Sequence, residues 1–315
     1  MRRLPRRLDG GCDRYDEREK GRLQDVEWDR MLGTIDTKRR SRLCSIGMAR
    51  EPDCRDELLV PVDVRSAPLP PEVGLSPPRF FPPPTETTVD GLLCVGGRLA
   101  AEWLLDAYRH GIFPWPMWEN DPVAWWSPDP RAIIELDAFR IPRRLRRTLR
   151  SGTFHVTCDR DFAGVIRGCA TACGRAGNTW LTAPMIEAYI HMHALGHAHS
   201  VEVWCSHPFP LDEAPHPTPL PMGVGMGLVG GTYGIAIGGL FAGESMFYRV
   251  RDASKVALAS LVQHLRGRGY QLFDIQQWTP HTGRLGAIEI PRVEYLRRLA
   301  RVVDLPVTFG DAPCG

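Results

Sequence analysis

The sequence has little lysine, no long apolar run and no regular cysteine pattern, and each absence narrows the class of protein. Only three of its 39 basic residues are lysine and the net charge is +2, so a nucleic-acid surface requires local clusters of arginine. GC-rich coding explains the arginine bias more simply. No run is long enough to span a bilayer, and the first 20 residues lack a signal peptide's apolar core. Nine scattered cysteines indicate reduced thiols. The sequence therefore predicts a cytoplasmic protein.

The chain divides by composition into an irregular beginning and a patterned remainder. Residues 1–84 are rich in Arg, Asp, Glu and Pro and have no sustained period, which predicts a disordered extension. Alternatively the true start is Met31 or Met48. Beyond the extension, the sequence predicts a small amino-terminal domain at 85–150, a catalytic domain at 151–305 with an insertion at 206–226, and a tail at 306–315.

The catalytic domain has a readable order of elements. Three strands at 200–204, 228–237 and 239–247 precede a helix at 253–269, a strand at 270–276 and a helix at 291–303. This order predicts a mixed α/β (α+β) layer architecture. It is also the order of the acetyltransferase-like (GNAT) superfold.

Three polar side chains interrupt apolar strands. In the strand at 270–276, alternation places Asp274 and Gln276 on one face, either as a satisfied buried pair or as the lining of a cleft. Glu244 follows Phe241 among apolar residues and requires a cationic partner, either a nearby arginine or a cationic substrate. From the pattern alone, the two interpretations of Asp274 and Gln276 are about even, whereas for Glu244 a structural salt bridge to Arg249 or Arg251 is slightly favoured.

Arginine and tryptophan offer surfaces for RNA. The helix at 142–150 presents a basic face that suits phosphates, although a solvated charge run is the commoner outcome. This face consists of Arg143, Arg144, Arg146, Arg147 and Arg150. Trp115 and Trp180 belong to a group of tryptophans that either pack in the core or stack on unpaired bases.

Two further patterns do not predict cofactors. The histidines at 191, 193, 197 and 199 have spacings that do not converge on one helical face, so we expect no metal site. The glycines at 225–230 match the dinucleotide spacing but open a strand instead of a helix.

Several long motifs carry a resemblance to a known family. They are YRHGIFPW at 108–115, WWSPDPR at 125–131, TWLT at 179–182, LGHAHSVEVW at 195–204, LVGGTYG at 228–234, GESMF at 243–247 and FDIQ at 273–276. In these motifs and their order, the chain from about residue 90 to 299 resembles the leucyl/phenylalanyl-tRNA–protein transferases. Thr232 stands where the family also has Met, and the insertion is longer than the family's usual connection.

The resemblance implies an aminoacyltransferase with no metal and no cofactor. Its substrates would be Leu-tRNA or Phe-tRNA, with Met used less well, and proteins that begin with Arg or Lys, which enter N-degron proteolysis. Its fold would place an acetyltransferase-like domain after a small amino-terminal one. We expect a monomer.

The resemblance also implies roles for the residues already singled out. Asp274 would accept the proton of the attacking amine or a hydrogen bond from it, Gln276 would orient the reacting groups, and Glu244 would hold the acceptor or the terminal adenosine. Contacts to that adenosine are implied for Trp115, Trp180 and Tyr189. An apolar pocket for the aminoacyl side chain is implied for Phe241 and Thr232.

Two other functions remain as alternatives. An acyl-CoA-dependent N-acetyltransferase of the same superfold would need a glycine-rich turn for pyrophosphate, whereas residues 249–255 contain no glycine. A tRNA-binding module without catalysis would keep the arginine helix and have no need of Asp274, Gln276 or Glu244.

Overall fold

Two β-sheets carry the chain in the computed structural model, which describes residues 59–61, 73–116, 122–172, 179–206 and 226–310. The strands of the smaller sheet are β1 (Leu59–Pro61), β2 (Leu92–Gly96), β3 (Phe113–Pro114) and β4 (Ala124–Trp126). They lie in the order β1-β2-β4-β3, with every pair antiparallel.

The larger sheet contains seven strands. These are β5 (Arg131–Ile134), β6 (His155–Cys158), β7 (Ala198–Cys205), β8 (Gly227–Ile237), β9 (Leu240–Tyr248), β10 (Leu272–Gln276) and β11 (Ala287–Ile290). Their order is β11-β5-β10-β9-β8-β7-β6, and β9 and β10 form its one parallel pair. Strand β10 therefore lies inside the sheet, between β5 and β9.

Seven α-helices accompany the sheets within the described residues. These are α1 (Ala101–Arg109), α2 (Arg143–Arg150), α3 (Phe162–Thr171), α4 (Ala183–Ala194), α5 (Ala253–Arg268), α6 (Pro280–Gly283) and α7 (Arg292–Val302). The side chain of Asp161 caps the start of α3, where its Oδ1 accepts a hydrogen bond from the amide of Gly164 at 2.8 Å.

Helices cover both faces of the larger sheet. Gly230 and Gly231 are neighbours on β8, and a Cβ at Gly230 would meet Ala253 of α5 while one at Gly231 would meet Val165 of α3. Because successive residues of a strand point to opposite faces, α5 and α3 lie on opposite sides. Each side therefore has its own packed core.

The predicted mixed α/β class is confirmed, and the predicted helices and strands of the catalytic domain agree with the structure within about two residues at each end. The order of β7, β8, β9, α5, β10 and α7 follows the prediction, except that the structure adds the short helix α6 and strand β11 before α7. The assignment to the acetyltransferase-like superfold stays a prediction.

The end of the predicted disordered extension is ordered. Strand β1 pairs with β2. The ring of Phe80 stacks on Trp103 with centroids 4.7 Å apart, and the amides of Arg79 and Phe80 donate to Asp106. Residues 59–61 and 73–84 thus gain their packing from residues distant in sequence, which composition does not show; the disordered extension over 1–84 as a whole stays a prediction. The remainder of the extension, nearly all of the insertion and the last residues of the tail lie outside the described residues.

The boundary between the sheets falls earlier than the boundary predicted at residue 150. Strand β4 ends in the smaller sheet at Trp126, and β5 begins in the larger sheet at Arg131. The side chain of Leu145 in α2 belongs to the core on the α5 side of the larger sheet. Residues 131–150 therefore build the larger sheet and its cover, while the division into folding units stays a prediction.

Two further sequence predictions concern the state of the cysteines and the presence of membrane-spanning helices. Cys94, Cys169 and Cys205 are buried cysteines outside any disulfide, but Cys158 forms a disulfide, so the expectation of reduced thiols is wrong for Cys158. None of the helices in the described residues combines the length and apolarity that a membrane crossing requires.

The capping of α3 is testable. Asp161→Ala removes the acceptor for the Gly164 amide, and we expect it to lower the free energy of unfolding by about 1 kcal/mol in urea denaturation. Thr182→Ala is the matched control, because the Thr182 side chain makes no capping hydrogen bond to α4. Equal losses in the two variants would contradict the capping role.

Candidate active site

Glu244 lies at an irregular point of the hairpin formed by β8 and β9. The two strands pair Tyr233 with Ser245 and Gly234 with Gly243, so Glu244 has no partner across the ladder. A bulge of this kind redirects a side chain away from the regular alternation of a strand. Here the redirected carboxylate meets side chains from α1, α4 and β10.

Three hydrogen bonds hold the Glu244 carboxylate. The hydroxyl of Tyr108 donates to Oε1 at 2.8 Å, and the amide nitrogen of Gln276 donates to the same oxygen at 3.1 Å. The hydroxyl of Tyr189 donates to Oε2 at 3.1 Å and lies 2.7 Å from the Tyr108 hydroxyl. Since a carboxylate oxygen accepts about two hydrogen bonds, Oε2 keeps one acceptor position that no described residue fills.

The surroundings of Glu244 favour its protonated form more than water does. Burial raises the pKa of Glu244 to about 7, against the opposing effect of hydrogen bonds from Tyr108 and Tyr189. A carboxyl group with a pKa near neutrality takes up and releases a proton readily at physiological pH. Glu244 therefore has both the open position and the proton affinity of a general base.

Asp274 is occupied at every acceptor position. Arg131 donates from Nε to Oδ1 at 2.9 Å and from Nη2 to Oδ2 at 2.6 Å. The Tyr295 hydroxyl donates to Oδ2 at 2.8 Å, and the backbone amide of Gln276 donates to Oδ1 at 2.9 Å. Both members of the ion pair are only 1% exposed. Burial acts to lower the pKa of Arg131, but Asp274 raises it, so the arginine stays charged.

The role that the family resemblance implies for Asp274, to accept the proton of the amine or a hydrogen bond from it, stays a prediction. Four donors fill its two oxygens, one of them a guanidinium that holds it bidentately. A substrate amine would have to displace one of these donors to reach the carboxylate. Of the two carboxylates, only Glu244 has an acceptor position left open by the described residues.

Gln276 joins the two carboxylates through an unusual backbone conformation. Its φ is +56°, in the left-handed region that costs a non-glycine residue about 1–3 kcal/mol. The pairing of β10 with β5 also shifts between Asp274 and Gln276. The regular alternation predicted for this strand therefore ends here, and the contacts of the Gln276 amide and backbone depend on the irregularity.

The tryptophans predicted to contact the terminal adenosine stack on each other. The rings of Trp115 and Trp180 have centroids 4.3 Å apart and planes at 20°. The indole nitrogen of Trp126 donates to the carbonyl of Trp115 at 3.0 Å, which fixes the backbone under the pair. Tyr189, the third residue of that prediction, is instead fully buried beside Glu244.

The sequence relatives agree with the motifs that build this site. The family model for leucyl/phenylalanyl-tRNA protein transferase matches residues 133–209 and 223–300, and that for the family's N-terminal domain matches 97–129. A leucyl/phenylalanyl-tRNA–protein transferase of Anaeromyxobacter dehalogenans is 47% identical over 232 residues, covering 73% of this chain and 91% of the relative. The chain belongs to the leucyl/phenylalanyl-tRNA–protein transferase family.

Other relatives show the same extent of similarity. The transferase of Solidesulfovibrio magneticus is 49% identical over 220 residues, covering 70% of this chain and 81% of the relative. That of Stutzerimonas stutzeri is 45% identical over 227 residues, covering 71% and 92%. The two family models meet between 129 and 133, where the chain passes from the smaller to the larger sheet.

Membership in the leucyl/phenylalanyl-tRNA–protein transferase family makes the chain an aminoacyltransferase. Within the larger sheet, Phe241 and Thr232 do not join the Glu244 cluster. Phe241 belongs to the core on the α5 side. Thr232 pairs with Met246, which packs against that same core, and its hydroxyl donates to the carbonyl of Ser245 at 3.0 Å. Their role in an aminoacyl pocket stays a prediction.

The arginine helix of this transferase has the predicted polarity. All five arginines of α2 are exposed, whereas Leu145 faces the core and is 3% exposed. The helix therefore presents its charges outward while its one fully buried side chain anchors it. Its contact with tRNA stays a prediction.

Three residues of the site were given no role from the sequence alone. Tyr108 and Arg131 stand at the ends of two motifs, YRHGIFPW and WWSPDPR, and Tyr295 lies in α7. The signal that could have identified them is a polar group at one end of an aromatic motif: Tyr108 begins YRHGIFPW and Arg131 ends WWSPDPR. No local pattern distinguishes Tyr295 from a core tyrosine.

The histidine-rich segment does not gather metal ligands. His199 Nδ1 lies 2.6 Å from Asp159 Oδ2, while His193 Nδ1 contacts the carbonyl of Ala198 at 2.8 Å. Across the described residues, no group of three or more His, Cys, Asp or Glu side chains is arranged to hold a metal ion.

The raised pKa of Glu244 makes stability depend on pH. Relative to a reference of 4.5, a folded-state pKa of about 7 means that stability falls as pH rises between these values. As the pH rises from 5 to 8, the free energy of unfolding of the wild type should therefore fall relative to that of Glu244→Gln. The difference should be at most about 3 kcal/mol, because the Glu244 side chain is partly exposed. Urea denaturation at both pH values measures the difference.

The matched control is Glu187→Gln, at an exposed position of α4. It should leave the pH dependence of unfolding as in wild type. If Glu244→Gln and Glu187→Gln follow the same pH dependence, Glu244 does not have the raised pKa.

Proposed function

We propose that this transferase moves Leu or Phe, and Met less readily, from aminoacyl-tRNA to proteins that begin with Arg or Lys. The product would enter N-degron proteolysis. We also expect it to act as a monomer in the cytoplasm. The observation that carries the chemical part is the open acceptor position on Glu244 Oε2, beside Tyr189 and within one hydrogen-bonded cluster with Gln276.

The reaction forms one bond and breaks one. The α-amine of the acceptor attacks the ester carbonyl of the charged tRNA, an N–C bond forms, and the C–O bond to the ribose breaks. The amine loses one proton and the ribose oxygen gains one. We assign Glu244 to take the amine proton at Oε2, because its pKa of about 7 lies near the operating pH.

Positioning supplies much of the rate in such a reaction, because an aminoacyl ester is already activated. In the proposed complex, Gln276 and Tyr108 hold Oε1 so that Oε2 faces the amine. Asp274 has no direct part in proton transfer and acts by holding Gln276.

The charged tRNA would be held at two places. The exposed arginines of α2 suit backbone phosphates. The stacked rings of Trp115 and Trp180 suit the terminal adenine, which binds by the same kind of ring stacking. Neither place requires a metal or a nucleotide cofactor.

The turn before α5 argues against acyl-CoA as the donor. Asp252 stands at the start of the helix, and its carboxylate contacts Lys255 at 2.7 Å. A pyrophosphate at this helix start would meet a negative side chain in place of a cluster of free backbone amides. An aminoacyl ester is therefore the favoured donor.

A transfer assay tests the function. Purified protein, radiolabelled Leu-tRNA or Phe-tRNA and a peptide beginning with Arg should give labelled peptide, and the same peptide with an acetylated amine should give none. Acetyl-CoA should not replace the charged tRNA. A folded preparation that transfers neither Leu nor Phe would refute the proposal, and transfer of acetyl groups would favour the alternative donor.

The arginine helix has its own test. Arg143→Ala with Arg144→Ala should weaken binding of aminoacyl-tRNA and reduce the slope of log K against log salt by roughly 1–2, since each lost phosphate contact contributes about 0.7–0.9. The control is Arg266→Ala with Arg301→Ala, two exposed arginines on α5 and α7. An equal change of slope in both variants would show that α2 is only a solvated face.

A further inference from the structure

Arg131 occupies a central place that the proposed chemistry does not use. It lies on β5, next to β10 in the sheet, and is 1% exposed. Its guanidinium lies between two aromatic rings, 4.8 Å from the centroid of Phe113 and 4.6 Å from that of Tyr295. A planar cation held between two rings has its orientation fixed before any substrate arrives.

Each side of the guanidinium is connected, through further hydrogen bonds, to a different residue that donates a hydrogen bond to Glu244. Nε and Nη2 hold Asp274, whose Oδ1 accepts the backbone amide of Gln276. Nη1 donates to the carbonyl of Gly111 at 3.0 Å, in the turn where the Gly111 amide bonds back to the carbonyl of Tyr108. Gln276 and Tyr108 are the two side chains that donate to Glu244 Oε1.

We propose that Arg131 is a positioning residue for the transfer reaction: it fixes both donors of Glu244 Oε1, through Asp274 on one side and the Gly111 turn on the other. The left-handed backbone at Gln276 requires this support, because an unsupported glutamine would relax to an ordinary conformation. Relaxation would withdraw the side-chain amide of Gln276 from Glu244 and leave the Glu244 carboxylate free to rotate.

The proposal explains why the position needs arginine. A lysine supplies one charged nitrogen, whereas Arg131 makes two parallel bonds to Asp274 and a third to Gly111 from one rigid plane. Lysine would keep the charge beside Asp274 but lose the geometry. Arg131→Lys therefore separates positioning from charge.

The inference rests on the proposed function and is tested in the same transfer assay with saturating charged tRNA. Arg131→Lys should lower kcat about ten- to a hundredfold, the effect of a misplacement on the scale of 1 Å. The apparent Kd for aminoacyl-tRNA should stay within about twofold, because no phosphate contact changes.

A double-mutant cycle distinguishes positioning from general damage. Because part of the effect of Arg131 passes through Gln276, the double variant Arg131→Lys with Gln276→Ala should lose clearly less than the product of the two single losses; the part that passes through Tyr108 should remain. Multiplied losses would overturn the proposal. The matched control is Arg292→Lys, a partly buried arginine that donates to Thr87 Oγ1 and Ser127 O instead of to Asp274 or Gly111. Any loss it causes should multiply with that of Gln276→Ala.

A milder variant keeps the test decisive if Arg131→Lys does not fold. Tyr295→Phe removes one donor from Asp274 Oδ2 and leaves the ion pair in place. It should lower kcat by a smaller factor and be likewise non-additive with Gln276→Ala. If the wild type transfers the aminoacyl group but the losses in kcat multiply in these cycles, only the inference about Arg131 is refuted. If the wild type transfers nothing, the proposed function itself is refuted.

Discussion

The buried ion pair between Arg131 and Asp274 is the interaction on which the rest of the site depends. It joins β5 to β10 inside the larger sheet, and it reaches the Gly111 turn after α1 and the Tyr295 hydroxyl of α7. Removing two charges from water costs several kcal/mol per ion, so a buried pair persists only with further hydrogen bonds around it. Asp274 has such bonds at every acceptor position, which is how the pair is kept in the interior.

Glu244 differs from Asp274 in the same physical terms. Among the described residues, no arginine donates a hydrogen bond to Glu244, and its three donors are two neutral hydroxyls and an amide. Neutral donors stabilise a buried carboxylate less than a guanidinium does, which leaves its pKa raised to about 7. The two carboxylates of the sheet thus have different partners: a guanidinium, a hydroxyl and a backbone amide hold Asp274, whereas hydroxyls and a side-chain amide hold Glu244.

Two side chains of the candidate site, Glu244 and Gln276, stand at irregularities of regular strands. Glu244 occupies a bulge in β9, and Gln276 ends β10 in a left-handed conformation. Strain and bulges concentrate where a side chain must be aimed away from the regular pleat. The surrounding sheet is packed on both faces, and this packing holds conformations that an isolated hairpin would not keep.

The sequence by itself determined the fold class, the order of β7, β8, β9, α5, β10 and α7, and the family, because apolar periodicity and long motifs are local properties. It also identified Glu244, Asp274 and Gln276 as unusual, since polar residues in apolar strands are visible without coordinates. It could not assign their roles. Only the tertiary structure brings Arg131 to Asp274 and Tyr108 to Glu244, across 143 and 136 residues of chain. Proton affinity and free acceptor positions depend on such distant neighbours, so they were decided by the packing of the sheet and its helices.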